Sequence, residues 1–344
     1  MTQHWTPAKN ATAPLSFNPL VSTFGDHSET GNGRQRLINR EVGPMKKRKG
    51  IVLAGGAGSR LHPLTISVSK QLLPVYDKPM IYYPLSVLML AGIGEIAIIT
   101  TPRDREAFRD LLGNGTNLGL RLEYITQPAP EGLAQAYLLA EDFLDGAASA
   151  MVLGDNIFFG AGLGSLLARA ESARSGACIF AHQVSDARTY GVVEIGPDGQ
   201  VASLQEKPTR PKSDLAATGL YFLDHRASAR ARRLRPSARG ELEITALLDT
   251  YLSEGTLSCQ QLGRGFAWFD TGTPDNLIAA GDFIRTIETR QGTKIGCIEE
   301  IAYRRGLIGK AELRALAQRH GRTDYGTYLR ALADEGGEML RNSA

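Results

Sequence analysis

A glycine-rich turn and two cations that follow it are the residues in this chain best suited to do chemistry. Gly55, Gly56 and Gly58 follow the apolar residues 51–53, Arg60 comes two positions later, and Lys70 ten positions after that. A row of backbone N–H groups without side chains binds phosphate oxygens. A forked guanidinium and a compact ammonium would add charge at the rim. The group suits a triphosphate, although a tight turn with two surface cations explains these residues equally well.

The turn fits neither of the two common nucleotide-binding patterns. The dinucleotide fingerprint G-x-G-x-x-G needs a third glycine where Leu61 stands, and an acid about twenty residues on, where the chain has Lys70 and Gln71. Pro63 and Pro74 interrupt the segment that should be a helix. The Walker pattern is absent as well. A dehydrogenase is therefore disfavoured.

Two aspartates stand at the ends of apolar stretches, Asp155 after AMVLG and Asp270 after FAWF. In open α/β sheets the ligand crevice lies beyond the carboxyl ends of strands, and Mg²⁺ favours one or two carboxylates plus substrate phosphates. The two aspartates could therefore meet over one metal ion. A single aspartate at a strand end is more often only a turn or helix cap.

Alternating strand and helix patterns must position these residues. The pattern in the first half of the chain predicts a mostly parallel sheet with helices on both faces. The pattern in the second half predicts a β-rich part followed by helices. Predicted strands in the first half are 51–53, 95–100, 120–126 and 149–155, and predicted helices are 79–92, 103–113 and 132–144. Later predictions are strands at 257–262 and 266–270 and helices at 227–234, 241–253 and 273–289. The fold class is thus α/β, with a Rossmann-like mixed sheet.

Composition excludes several other classes of protein. The formal net charge is only +3 and no basic stripe is present, so we expect no nucleic-acid partner. The chain has no run of about 18 apolar residues, so no membrane span is predicted. Three widely spaced cysteines favour a reduced, cytoplasmic protein without a zinc site. The basic run at 46–49 is interpreted as a solvated entry to the first strand.

The chain divides into three predicted segments. Residues 1–49 are polar, aperiodic and rich in Thr, Ser, Asn, Gly and Pro, which predicts a disordered leader. Deletion of residues 1 to about 44 is expected to leave activity intact. Residues 50–290 are predicted to form the main domain, whose halves at about 50–175 and about 176–290 bind nucleotide and sugar, respectively, if the family resemblance described below holds. Residues 291–344 are predicted to be a C-terminal helical segment.

A series of ordered motifs resembles the sugar-1-phosphate nucleotidylyltransferase family. The likeness is strongest in LAGGAGSRLHPLT and SKQLLPVYDKPMIYYPL, and it covers about residues 50–330. It continues through VLGDNIFFG, RTYGVVE, QEKP, TGLYF, PSARGELEIT and GRGFAWFDTGT. Within the family the motifs are most similar to those of members that join dTTP and glucose 1-phosphate with the help of Mg²⁺.

The resemblance implies a set of site residues. The implied catalytic residues are Arg60, Lys70, Asp155 and Lys207, and the implied metal ligands are Asp155 and Asp270. The implied nucleotide-binding residues are Leu53, Gly55, Gly56, Gly58, Ser59, Arg60, Gln71, Gln127 and Gly132. The implied sugar-phosphate-binding residues are Asn156, Tyr190, Gly191, Glu206, Lys207, Thr218, Gly219 and Arg239. Where members of the family usually have Glu, this chain has Gln205, but Glu206 keeps an acid beside it.

Several of these residues have a simpler explanation when they are taken alone. Glu206 and Lys207 could be an ordinary exposed strand end, and Arg239 could only pair with Glu241 or Glu243. The Gln127 carboxamide offers a donor and an acceptor to the O4 and N3–H edge of thymine. Uracil presents the same edge, and one methyl group is worth only about 1 kcal/mol.

The resemblance also implies partners, and it leaves two rival functions open. Members of the family are homotetramers that dTDP-rhamnose inhibits at a second site. One rival is the same reaction with UTP or another hexose 1-phosphate. The other is a catalytically silent subunit that only binds a nucleotide-sugar. This chain retains Arg60, Lys70, Asp155, Lys207 and Asp270 together, which disfavours the silent subunit.

Overall fold

The structure is a computed structural model, and it describes residues 46–56 and 58–335. The predicted leader lies outside the described residues except for positions 46–49. None of the described helices has both the length and the apolar character needed to cross a bilayer.

Strands and helices alternate along the first half of the chain. The strands of the described part are β1 (Lys49–Ala54), β2 (Pro74–Val75), β3 (Lys78–Pro79), β4 (Glu95–Thr100), β5 (Arg121–Thr126), β6 (Ser149–Leu153), β7 (Asn156–Phe159), β8 (Ala177–Gln183), β9 (Gly191–Ile195), β10 (Val201–Glu206), β11 (Leu215–Leu223), β12 (Leu257–Leu262) and β13 (Ala267–Asp270). The α-helices are α1 (Tyr82–Leu90), α2 (Arg105–Leu112), α3 (Gln135–Leu139), α4 (Glu141–Leu144), α5 (Leu163–Ser172), α6 (Ala227–Ala231), α7 (Ile244–Leu252), α8 (Pro274–Gln291), α9 (Ile298–Arg304), α10 (Lys310–Arg319) and α11 (Asp324–Glu335).

A nine-stranded mixed sheet forms the centre of the described region. Strand β1 pairs in parallel with β4 and β6, and β5 extends the parallel part beyond β4. Strand β11 pairs antiparallel with β6, and it joins β8 and β9 to the sheet. Two short ladders, β7 with β13 and β2 with β3, lie outside it. The prediction of an α/β fold with a Rossmann-like mixed sheet flanked by helices is confirmed.

Both faces of the sheet are covered by helices. Along β1, Val52 belongs to a core that includes residues of α1 and of the C-terminal helices α9, α10 and α11. The neighbouring Ile51 and Leu53 belong to the opposite core, with residues of α3 and α7. Because side chains alternate along a strand, a strand buried on both faces has the continuous apolar sequence seen here.

Several predicted elements differ from the observed ones. The helix predicted at 227–234 ends at Ala231, and the helix predicted at 241–253 begins at Ile244. The helix predicted at 79–92 begins only at Tyr82, which places Pro84 in its first turn, where a missing N–H costs no intrahelical hydrogen bond. The helix predicted at 132–144 is two short helices that meet at Ala140. The strand predicted at 149–155 ends at Leu153. Gly154 then turns the chain close to the Leu53 carbonyl, where a Cβ would lie only 2.9 Å away.

The basic run at 46–49 is not a solvated entry as a whole, so this interpretation was wrong for Arg48. Arg48 is 4% exposed, and it donates to Glu171 at 2.5 Å and to the carbonyl groups of Ser149 and Leu223. The run thus contains a buried guanidinium whose partners come from other strands and helices. Nothing local in the sequence indicates those partners.

Candidate active site

A cavity of about 610 Å³, here called the central cavity, opens at the carboxyl ends of β1, β6, β10 and β13. It gathers residues from both halves of the predicted domain. The predicted site residues that line it are Leu53, Gly56, Arg60, Lys70, Gln71, Gln127, Gly132, Asp155, Asn156, Tyr190, Gly191, Glu206, Lys207, Gly219 and Asp270.

The other predicted site residues do not line the central cavity. They are Gly55, Gly58, Ser59, Thr218 and Arg239. Thr218 is fully buried, and its hydroxyl donates to the Phe180 carbonyl at 3.0 Å. Gly55 lies behind the wall, because a Cβ there would meet Gln127 Oε1 at 1.9 Å. These contacts explain the residue types through packing.

The two predicted metal ligands lie side by side. In the β7–β13 ladder Asp270 pairs with Asn156, the residue that follows Asp155, and the Thr271 N–H donates to the Asp155 carbonyl at 3.1 Å. The Lys70 ammonium donates to Asp155 Oδ2. The ladder therefore brings together two carboxylates that are far apart in the sequence, with Lys70 against one of them.

Burial and neighbouring charges shift the pKa values of these two carboxylates in opposite directions. Burial raises the pKa of Asp270, and the negative charge of nearby Asp155 raises it further. Burial acts in the same direction on Asp155, but the Lys70 ammonium and the hydrogen bonds from Lys70 and Asn156 outweigh it and lower the Asp155 pKa. The positive charges of Lys70 and Arg60 oppose this rise in the Asp270 pKa but do not cancel it, so the negative charge of Asp270 is not fully balanced. An additional cation beside the pair would relieve that repulsion.

Asn156 connects several parts of the site. Its Nδ2 donates to Asp155 Oδ1 at 3.0 Å. Its Oδ1 accepts from the Gly219 N–H at 3.1 Å and from Trp268 Nε1 at 2.6 Å. Gly219 must be a glycine here, since a Cβ would lie 2.7 Å from Asn156 Oδ1.

Arg60 extends from the short 3-10 turn Ser59–Leu61 that follows the glycine-rich segment. Gly58 precedes it with φ of 64° and is held by a hydrogen bond from the Thr65 hydroxyl to its carbonyl at 2.7 Å. The guanidinium lies over Gly272, where a Cβ would be only 2.5 Å from Nη2. Arg60 is therefore close to Asp270, the carboxylate that needs positive charge.

The part of the cavity that was predicted to bind the sugar is built around Glu206. This carboxylate accepts from the Thr245 hydroxyl at 3.1 Å and from Arg239 Nη2 at 3.3 Å. Lys207 follows with φ of 42°, a conformation that non-glycine residues seldom adopt, and its ammonium is 3.6 Å from Glu206. Arg239 also pairs with Glu243 at 2.8 Å. The alternative that Arg239 pairs with its acidic neighbours is thus observed.

The two residues predicted to contact the base also line the central cavity. Gln127 is buried, and its Nε2 donates to Gln135 Oε1 at 2.7 Å. Gly132 has φ of 103°, and a Cβ there would lie 2.4 Å from the Leu242 carbonyl oxygen. Gly132 is therefore required by its backbone conformation and by the close approach of Leu242.

Some lining residues were missed by the sequence analysis. Trp268, Glu241, Glu243 and Thr245 all line the central cavity. Trp268 is two positions before Asp270 on β13, and residues two apart on a strand share a face. That spacing could have identified Trp268 once Asp270 was selected. Its ring lies 5.2 Å from the ring of Tyr190 between centroids.

The described residues contain no group of three or more His, Cys, Asp or Glu side chains arranged as a metal site. A pair of carboxylates still fits Mg²⁺, which keeps several waters and takes its remaining ligands from substrate phosphates. The unbalanced charge at Asp270 supports the same fit. Asp155 and Asp270 are thus able to hold one divalent cation together.

Comparisons with known proteins identify the family of this chain. The nucleotidyl transferase family matches residues 49–287. The chain is 54% identical to a glucose-1-phosphate thymidylyltransferase of Xanthomonas campestris pv. campestris, over 85% of this chain and 99% of the relative. It is also 54% identical to a glucose-1-phosphate thymidylyltransferase of Mycolicibacterium smegmatis, over 83% of this chain and 99% of that one.

A solved structure shows the same architecture. It is a Bacillus anthracis protein described as a glucose-1-phosphate thymidylyltransferase, in complex with sucrose, with a TM-score of 0.65 and 37% identity. The match covers 69% of this chain and 95% of that one. The chain belongs to the nucleotidyl transferase family, and within that family it groups with the glucose-1-phosphate thymidylyltransferases.

Proposed function

We propose that this protein transfers a thymidylyl group from dTTP to glucose 1-phosphate, which gives dTDP-glucose and pyrophosphate. One observation carries the proposal: a single cavity gathers three cations and two aspartates from distant parts of the chain. These residues are Arg60, Lys70, Lys207, Asp155 and Asp270. The chain's membership among the glucose-1-phosphate thymidylyltransferases supports this choice of reaction.

The reaction requires charge neutralisation more than proton transfer. A phosphate oxygen of glucose 1-phosphate attacks the α-phosphorus of dTTP, a new P–O bond forms, and the bond to pyrophosphate breaks. A phosphate monoester is already mostly dianionic at neutral pH, since its second pKa is about 6, so no general base is needed. Arg60 faces the leaving pyrophosphate, and Lys207 holds the sugar phosphate. Positioning and fixed charges lower the barrier.

Mg²⁺ is the proposed metal, with Asp155 and Asp270 as its protein ligands. When bound, it would neutralise charge on the triphosphate. Lys70 keeps Asp155 ionised, which its lowered pKa reflects. This assignment draws on the two neighbouring carboxylates and on the raised pKa of Asp270.

The lining residues of the central cavity divide between those that bind the base and those that bind the hexose. Gln127 and Gly132 face the base, and Glu206 accepts hydrogen bonds from hexose hydroxyl groups. Gln127 Nε2 already donates to Gln135, so base recognition at this position requires the second amide hydrogen or Oε1. Tyr190, Gly191 and Gly219 form the wall against the sugar and its phosphate.

The finer biological setting is also a proposal that rests on the family resemblance. The protein acts in the cytoplasm as a homotetramer, and it supplies dTDP-glucose for dTDP-rhamnose and related deoxysugars. dTDP-rhamnose inhibits it at a second site near the C-terminal helices.

A turnover assay tests the reaction and separates it from its rivals. Purified protein should release pyrophosphate from dTTP and glucose 1-phosphate, lose this activity when EDTA is added, and prefer dTTP to UTP and CTP in competition. Faster turnover with UTP would favour the uridylyltransferase. Binding of dTDP-glucose with no pyrophosphate release by wild type would favour the silent subunit. Arg314→Ala, which alters an exposed ion pair with Asp334, is the control variant with unchanged turnover.

A further inference from the structure

Trp268 donates its indole N–H, its one polar side-chain hydrogen, to Asn156, and Asn156 in turn donates to Asp155. The Trp268 Nε1 to Asn156 Oδ1 distance is 2.6 Å, and the Asn156 Nδ2 to Asp155 Oδ1 distance is 3.0 Å. An indole N–H can only donate. The three side chains therefore form a directed chain of hydrogen bonds that ends on a carboxylate of the central cavity.

The direction of this chain fixes the Asn156 carboxamide. Its oxygen faces two N–H donors, Trp268 Nε1 and the Gly219 backbone, while its amino group faces a carboxylate. A half-turn of the carboxamide would place the amino group against two donors and the oxygen against a negative charge. Asn156 is only 2% exposed, so water cannot compensate for those lost bonds.

The chain of hydrogen bonds holds one oxygen of Asp155, and Lys70 holds the other. Asp155 Oδ1 accepts from Asn156, and Oδ2 accepts from Lys70. Asp155 is 8% exposed, and its orientation is thus set by the protein rather than by solvent. A partner that orients a metal-binding carboxylate contributes to metal affinity even though it never touches the metal.

We propose that Trp268 is a positioning residue that orients Asp155 for its divalent cation through Asn156. The inference rests on the proposed function, because it takes Asp155 as a metal ligand. The Trp268 ring also lies against Tyr190, on the sugar side of the cavity. One side chain thus contacts the sugar side and, through a single intervening residue, orients the carboxylate on the metal side.

The test replaces the indole N–H and measures metal binding directly. Trp268→Phe keeps an aromatic ring but cannot donate. Mn²⁺ titration in the presence of dTTP, followed by the electron paramagnetic resonance signal of free Mn²⁺, should show binding weakened by roughly 10-fold. Tyr251→Phe is the matched control, because it removes a buried hydroxyl that donates to Asp224 at 2.9 Å away from the cavity. It should leave Mn²⁺ affinity unchanged.

A double-mutant cycle tests the route through Asn156. If Trp268 acts through Asn156, adding Trp268→Phe to Asn156→Ala should weaken Mn²⁺ binding by less than about 2-fold beyond Asn156→Ala alone. Additive losses would overturn the proposal, and so would wild-type Mn²⁺ affinity in Trp268→Phe or an equal loss in Tyr251→Phe. If wild type turns over substrate and binds Mn²⁺, and the Trp268 and Asn156 variants bind Mn²⁺ with the same affinity, only the positioning role fails. If wild type neither binds Mn²⁺ nor turns over substrate, the proposed function fails as well.

A fluorescence measurement covers the case in which Trp268→Phe does not fold. The chain has two tryptophans, so Trp5→Phe leaves Trp268 as the only one. Its emission should change on Mg²⁺ titration with dTTP present, and the change should be lost in Trp5→Phe/Asn156→Ala. An unchanged emission in Trp5→Phe, or a change that persists without Asn156, would overturn the coupling.

Discussion

Replacement of Lys70 by alanine removes the counter-ion of a buried carboxylate. The side chains of Lys70 and Asp155 are only 11% and 12% exposed. Without the ammonium, Asp155 remains buried beside a second carboxylate, Asp270, whose pKa is already raised by burial and by Asp155. The variant should therefore lose stability as well as activity.

The size of the loss follows from burial. Removal of one partner from a buried ion pair costs about 3–5 kcal/mol, and because this pair faces a cavity we expect about 3 kcal/mol. For a chain of this length 1 kcal/mol corresponds to roughly 2 °C, so the melting temperature should fall by about 6 °C. Arg314→Ala breaks a pair whose side chains are 52% and 65% exposed, and it should cost less than about 1 kcal/mol.

The pH dependence of the loss has a definite sign. The Lys70 ammonium helps lower the folded-state pKa of Asp155, so the stability from this pair is present above the unfolded pKa and disappears as the pH falls through the folded value. Without Lys70, burial and Asp270 raise the Asp155 pKa, and protonation then relieves the buried charge. The stability deficit of Lys70→Ala should therefore shrink as the pH is lowered.

Urea unfolding at neutral and acidic pH measures this deficit, and thermal unfolding with and without Mg²⁺ extends the test. Mg²⁺ should stabilise Lys70→Ala more than wild type, because it replaces the missing positive charge between two carboxylates. A deficit as small as that of Arg314→Ala, or one that grows towards acidic pH, would refute the reasoning. Equal Mg²⁺ effects in wild type and variant would count against the metal assignment.

Three further predictions concern the other charges of the cavity. Arg60→Ala should lower the maximal rate by roughly 10²-fold, with a smaller effect on the Michaelis constants, because charge on pyrophosphate grows in the transition state. Steady-state kinetics in which only the Michaelis constant for dTTP changed would contradict this prediction. Lys207→Ala should raise the Michaelis constant for glucose 1-phosphate more than that for dTTP, and a selective loss of dTTP affinity would reverse the assignment of the two halves. Asp270→Asn should abolish turnover yet stabilise the metal-free protein at neutral pH. The pKa of Asp270 is raised in the folded state, so its carboxylate destabilises the fold above the folded-state pKa and no longer does so below the unfolded-state pKa. The urea unfolding midpoints of wild type and Asp270→Asn should then converge as the pH is lowered. A difference between the midpoints that grows at acidic pH would show that the pKa of Asp270 is not raised by folding.

Local sequence patterns identified many of the elements but not all of their limits. Continuous apolar stretches predicted β4 and β6, because strands buried on both faces leave no polar position. The first residue of α1 was predicted wrongly, because a proline such as Pro84 can stand either in the first turn of a helix or at a break in the helix. Strand β7 was missed because it begins only after a two-residue turn, and the pattern alone does not separate it from β6.

The candidate site was predicted to different degrees for different residues. Arg60, Lys70, Asp155, Lys207 and Asp270 were selected from their types and from motif order, and all of them line one cavity. Trp268 was missed, because an aromatic residue on an apolar strand has many possible roles until its neighbours are known. Thr218 was selected by motif position, but its hydroxyl faces the Phe180 carbonyl.

The sequence by itself determined the repeating strand–helix order, the position of the glycine-rich turn and the set of charged residues, because periodicity, glycines and residue types are local properties. Only the tertiary structure decided which of these groups meet. The β7–β13 ladder sets Asp270 beside Asp155, and strand pairing buries Arg48 against carbonyl groups from two other strands. Burial and separation control both the pKa of a carboxylate and the strength of an ion pair. Those two quantities depend on contacts between residues far apart in the chain, and no local pattern encodes them.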